Sequence, residues 1–185
     1  AGDATLEVKP FVEVNGRKAY HFNSILLSSS VFSMFYKVDD KADSFMDFDL
    51  MVPLTMTISI TETKQLRELR AFFDWKKKKV DYWERQVTKE KGVEEKKREW
   101  DLAPFSQNTY GALWYIRTFA LRDGKTYVYP VSDDARNWEV RATVLRREIL
   151  KTDAGNLKTI VVKPEVAVGG VLEPKGEVFF WLTDD

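Results

Sequence analysis

Apolar and polar residues alternate along much of this chain, and that period of two is the mark of strands with one face buried. Between Leu54 and Ile60 the even positions Leu54, Met56, Ile58 and Ile60 are apolar, while Thr55, Thr57 and Ser59 are polar. Phe32, Met34, Tyr36 and Val38 repeat the pattern, as do Leu69, Ala71, Phe73 and Trp75. Further on come Tyr127, Tyr129 and Val131, then Trp138, Val140, Ala142 and Val144. Each run predicts a half-buried strand. Turn signals separate the runs: Asn15-Gly16 and Asp123-Gly124 read as hairpin turns, and Ala154-Gly155-Asn156 and Gly169-Gly170 add permissive positions. Short connections imply antiparallel pairing. The charge-dense stretch from Phe72 to Trp100 reads as a long hairpin, Val80 to Thr88 and Val93 to Trp100, turning at Lys89 to Gly92. Its aromatics and valines suit strands, and its charges face water or guard an edge.

One segment breaks the period. After Asp101 and Pro104, Ser106 stands as an N-cap before Tyr110, Leu113, Trp114 and Arg117, whose spacings of three and four share a helical face. This predicts one helix over Gln107 to Thr118, plugging one end of a curved sheet or lying across its open face. The fold class is therefore mainly β: a strongly curved antiparallel sheet or partly open β-barrel with one short helix.

Composition narrows the chemistry. The 185 residues are 44% apolar and 31% charged, enough for one globular domain with a core that needs neither disulfide nor metal. With no cysteine and one histidine, His21, thiolate zinc sites, cysteine nucleophiles and iron–sulfur clusters are excluded, and a Ser-His-Asp triad would need His21 as its base. No cofactor or metal is expected. The 29 basic residues balance 29 acidic ones, so no overall field steers the chain toward nucleic acid. No apolar run approaches the ~20 residues of a transmembrane helix.

Several motifs between them then suggest a family. The run Arg70-Ala71-Phe72-Phe73-Asp74-Trp75-Lys76-Lys77, the spacing Asp101, Ser106, Tyr115, Arg117, then Gly124, Lys163-Pro164 and the closing Trp181 to Asp185 resemble the bacterial family known as domain of unknown function 3108. The resemblance spans most of the chain. It implies a mostly antiparallel β protein of the bacterial cell envelope, periplasmic or otherwise exported, and no established activity. Members usually continue past the Asp-Asp pair into a further strand, whereas this chain stops at Asp185. The expectation is a single antiparallel β domain over 1–185; either this last strand was cut from the sequence or the protein lacks it, and if it is missing a sheet edge that the family covers is open to pairing.

Candidate sites each carry a structural alternative. Asp101, Ser106 and Arg117 could hold an anion at the helix start, or simply be a capped helix tied by Arg117 to a carboxylate such as Asp184. Trp75, Tyr82, Trp83, Trp100, Trp114, Tyr115 and Trp181 could line a groove for a lipid chain or stack on sugars, or fill the core. His21 reads as a surface histidine, Asp39 to Asp43 as a polar turn leading into a strand rather than a calcium loop, and Lys76 to Lys79 as an exposed strand end. The residues expected to bind a ligand are Trp114, Tyr115, Trp181, Asp101, Ser106 and Arg117. The leading functional reading is a non-catalytic module that engages an envelope protein or other envelope component. The first alternative is a carrier of a lipid or acyl chain between helix and sheet, and the second is a carboxylate-based hydrolase.

Overall fold

The computed structural model describes residues 2–28, 37–168, 171–173 and 177–184. Of these, 71% lie in strands, and they form two antiparallel sheets with one short helix. The expected mainly β class with a single helix is the observed one. The expected strand around Phe32 to Tyr36 and the turn at Gly169-Gly170 lie outside the described residues.

The first sheet is a seven-stranded meander in strict chain order: β1 (Gly2–Val14), β2 (Arg17–Ser28), β3 (Val38–Asp47), β4 (Pro53–Glu62), β5 (Gln65–Asp74), β6 (Lys79–Thr88) and β7 (Gly92–Asp101). Alternation decides which face is buried. Met56 on β4, Leu69, Ala71 and Phe73 on β5, and Val80 and Tyr82 on β6 pack into one core cluster with Leu102. The residues between them point to the other, outer face. The long charged hairpin is as expected, with Val87 opposite Val93 and Thr88 opposite Gly92.

The second sheet, a strongly curled half-barrel, contains β8 (Thr126–Asp133), β9 (Arg136–Thr152), β10 (Gly155–Val168), β11 (Val171–Glu173) and β12 (Phe180–Thr183). β12 pairs with β10, with Val161 opposite Trp181. Its core is Tyr129 and Val131 on β8, Val140, Ala142 and Val144 on β9, and Ile160 and Val162 on β10.

Between the sheets lies the helix α1 (Thr109–Tyr115), continued by a 3-10 turn at Ile116–Thr118. It neither plugs an end nor lids an open face. Ala112 and Ile116 enter the core of the second sheet. On its other side Trp114 stacks on Phe22 of β2 at 4.9 Å, and Tyr110 packs on the core of the first sheet. A Cβ at Gly111 would lie 2.4 Å from the Met46 sulfur of β3, so a larger residue there would displace that buried side chain.

Several local expectations are corrected. The N-cap is Asn108, not Ser106: its side chain accepts from the Gly111 N–H at 2.6 Å. Gln107 is held in extended form by a bridge to Val131, so the cap falls two residues past Ser106 and the helix starts at Thr109, and Asn caps as well as Ser does. Asp39 to Asp43 are strand, not turn, because β2 and β4 flank them and supply partners, such as the Thr61 N–H to Asp40 at 3.2 Å. Lys76 to Lys78 form the β5–β6 turn rather than a strand end. There the Asp74 carboxylate accepts from the Lys76 and Lys77 N–H groups, which holds its pKa down. Asp123-Gly124 leads from helix to β8 and joins no hairpin. The β8–β9 hairpin instead turns on Asp134 and Ala135, both left-handed, with φ of 48° and 60°.

Candidate functional site

The six residues expected to bind a ligand do not converge. Ser106 is fully buried and its hydroxyl has no hydrogen-bond partner among the described residues. Asp101 ends β7, with its carboxylate 3.0 Å from Lys79 and its carbonyl accepting from Asn137 Nδ2. Arg117 donates to Thr183 Oγ1 at 3.2 Å, and Asp184, its expected partner, pairs with Arg147. Tyr115 packs edge-on against Phe119 and Tyr129 in the second sheet's core. Trp114 stacks on the first sheet, while Trp181 is 41% exposed and donates its indole N–H to Glu148 at 2.7 Å. Trp114 and Trp181 thus face different surroundings, the one packed on β2 and the other at the surface on β12.

His21 is also not a plain surface residue. Its imidazole is largely covered, stacks on Phe45 at 4.4 Å and meets the Asp43 carboxylate at 2.6 Å, where Asn23 Nδ2 donates as well. The alternation of Tyr20 and Phe22 inward and His21 outward is as the sequence suggests. Among the described residues no three His, Asp or Glu side chains are grouped to hold a metal.

A cleft opens on the outer face of the first sheet. It is an open groove of 640 Å³ lined by Thr55 of β4, Arg70 and Phe72 of β5, Asp81 and Trp83 of β6, and Lys97 and Glu99 of β7. Register places these side chains in two cross-strand rows. Thr55, Phe72, Asp81 and Glu99 are successive partners, and Arg70, Trp83 and Lys97 form the next row. Phe72 is 40% exposed at a position where alternation calls for a polar residue. The Arg70 guanidinium lies 5.5 Å from the Trp83 ring centre, a cation–π distance that fixes the plane of both. A second groove, of 430 Å³, adjoins it across Arg70, with Lys41, Asp43, Thr57, Ser59 and Glu68.

Beneath this face, on the inner side, a buried network stiffens the same strands. Arg67 Nε donates to Glu84 at 2.6 Å, and the Tyr82 hydroxyl donates to the other Glu84 oxygen at 2.8 Å. Burial alone would raise the Glu84 pKa, but the Arg67 and Tyr82 hydrogen bonds outweigh it and hold the carboxyl below its ordinary value. Burial, with Glu84 beside it, pushes Tyr82 up to about 12.

The groove offers aromatic faces and cations beside anions, which is the chemistry of recognition. It does contain two carboxylates side by side, Asp81 opposite Glu99. Both are exposed, and Lys79 sits 3.4 Å from Glu99. Of the residues that line the groove the sequence singled out Trp83 and Tyr82 as binding candidates. The available signal was Arg70 and Phe72, large groups on the strand face opposite Leu69, Ala71 and Phe73.

A family model described as a protein of unknown function (DUF3108) matches residues 1–185. No curated protein and no solved structure matches the chain.

Proposed function

Because the chain belongs to the DUF3108 family of proteins of unknown function, we propose its role from its surface: a non-catalytic module that binds another protein through the outer face of the seven-stranded sheet. The observation that carries this reading is the 640 Å³ groove with Trp83, Phe72 and Arg70 at its floor. Tryptophan and arginine are the residues that dominate protein interfaces, and a cluster of them ringed by mixed charge fits a partner segment of alternating apolar and charged residues. An acyl chain would leave Asp81, Lys97 and Glu99 unmatched, which favours protein over lipid. The cell-envelope setting rests on the family resemblance alone.

The test is quantitative enrichment from bacterial envelope extract, comparing the wild-type chain with Trp83→Ala/Arg70→Glu. The variant's fold is checked by circular dichroism and melting temperature. The expected result is one or a few proteins enriched about tenfold by wild type and lost with the variant. Identical protein sets on both baits would sink the proposal.

A further inference from the structure

The two edges of the seven-stranded sheet are built differently. β7 carries six consecutive charged residues, Glu94 to Glu99, which blunt an edge against pairing with another chain. β1 carries no such block. Its inner-face positions are Ala4, Leu6 and Val8, with Leu6 52% and Val8 53% exposed, beside Leu26 of β2 at 47%. The run ends at Pro10, where the register with β2 also slips. Among the described residues nothing pairs with the outer edge of β1.

The geometry points to a second copy of this chain as the partner of that edge, with β1 pairing antiparallel to its own twofold mate and Leu6 opposite Leu6. Charge selects this register. Two copies joined with their inner faces continuous must pair residues whose numbers sum to an even value, because side chains alternate. A sum of twelve sets Asp3 against Lys9, Thr5 against Glu7, and Ala4 against Val8. A sum of ten sets Asp3 against Glu7, and a sum of fourteen sets Glu7 against itself, so both place like charges opposite each other. A sum of sixteen brings Pro10, which has no N–H, against Leu6. Neither Asp3 nor Lys9 has an ion-pair partner among the described residues, so both are available to the mate. The join would bring the exposed Leu6 and Val8 of the two copies together into one covered apolar strip. This surface is separate from the groove, and its test does not depend on that reading.

The absence of native cysteine makes the test direct. In the full chain, Leu6→Cys places two thiols directly opposite each other at a cross-strand Cβ spacing of about 4.5–5.5 Å, which a small strand adjustment brings to disulfide distance. Mild oxidation is expected to convert Leu6→Cys to a covalent dimer, while Glu95→Cys on the other edge stays monomeric. Sedimentation equilibrium gives the second readout. Asp3→Lys is expected to weaken dimerisation about tenfold, because two attractive pairs become two repulsive ones. Asp3→Lys/Lys9→Asp is expected to restore it. A wild-type chain that stays monomeric through the micromolar range overturns the proposal. So does a dimer that ignores Asp3→Lys, and so does equal crosslinking at both edges.

Discussion

The two sheets grip the same helix by different chemistry. The curled sheet takes Ala112 and Ile116 into a largely apolar pocket with Val131, Val140, Val144, Ile160 and Val162, where contact area carries most of the strength and the Tyr129 hydroxyl adds one hydrogen bond to the Ala112 carbonyl at 3.0 Å. The seven-stranded sheet holds the helix start through a polar junction. Asn108 caps the helix with its Oδ1 while its Nδ2 donates to Ser44 of β3 at 2.9 Å, and both residues are fully buried. Next to them Gln107 donates its side-chain amide to the Met51 carbonyl, and its backbone pairs with Pro130 and Ser132 of the other sheet. An apolar face fixes how strongly two layers adhere, whereas a buried amide bonded on both sides fixes how they are aligned.

Three measurements would break or sharpen that contrast. The largest effect is expected on the apolar side: Ile116→Ala should cost about 3 kcal/mol in denaturant unfolding, the transfer and cavity loss of a buried isoleucine. A cost under about 1 kcal/mol would mean that the helix is only loosely seated on the curled sheet. On the polar side Asn108→Ala should cost about 2 kcal/mol, since it removes the cap and strands the Ser44 hydroxyl. Asn108→Ser should recover part of this, because serine still caps; if both variants cost the same, the cap is not what matters there.

The smallest effect is gated by pH. Tyr82 has its folded pKa raised to about 12 from 10.0. The native state therefore keeps a proton that the unfolded chain gives up above pH 10. The sign follows: this contribution is fully present below about pH 10 and is lost as pH rises toward 12. Near pH 11 it amounts to about 1 kcal/mol. Stability measured from pH 9 to pH 12 should fall more steeply for the wild-type chain than for Tyr82→Phe. Parallel curves would show that Tyr82 is not the group responsible.

The same contrast explains what the sequence made legible. Alternation over Leu54 to Ile60, over Leu69 to Phe73 and over Trp138 to Val144 marks buried faces, since burial of one face imposes it directly. The Lys89 to Gly92 turn was visible for the same reason, as Gly92 closes it with φ of 69°. The polar junction was not visible, because Ser106 and Asn108 are equally good caps and only the bridge of Gln107 to Val131 decides between them. Asp134 and Ala135 take left-handed turn conformations without a glycine, so composition does not announce the β8–β9 hairpin. The groove needed more still. Arg70, Trp83 and Lys97 are neighbours only once three strands are in register, and periodicity leaves register open.

The meander order of β1 to β7 has a kinetic consequence. Each of those strands neighbours the one just before it in the chain, so the sheet can zip up hairpin by hairpin, with little loop-closure entropy at each step. Asn108 meets Ser44 across 64 residues. Seating that amide is a long-range event that must wait until the strands on either side exist. During synthesis the meander can therefore assemble while the curled sheet is still emerging, and the arrival of the helix is the step that commits both to one structure.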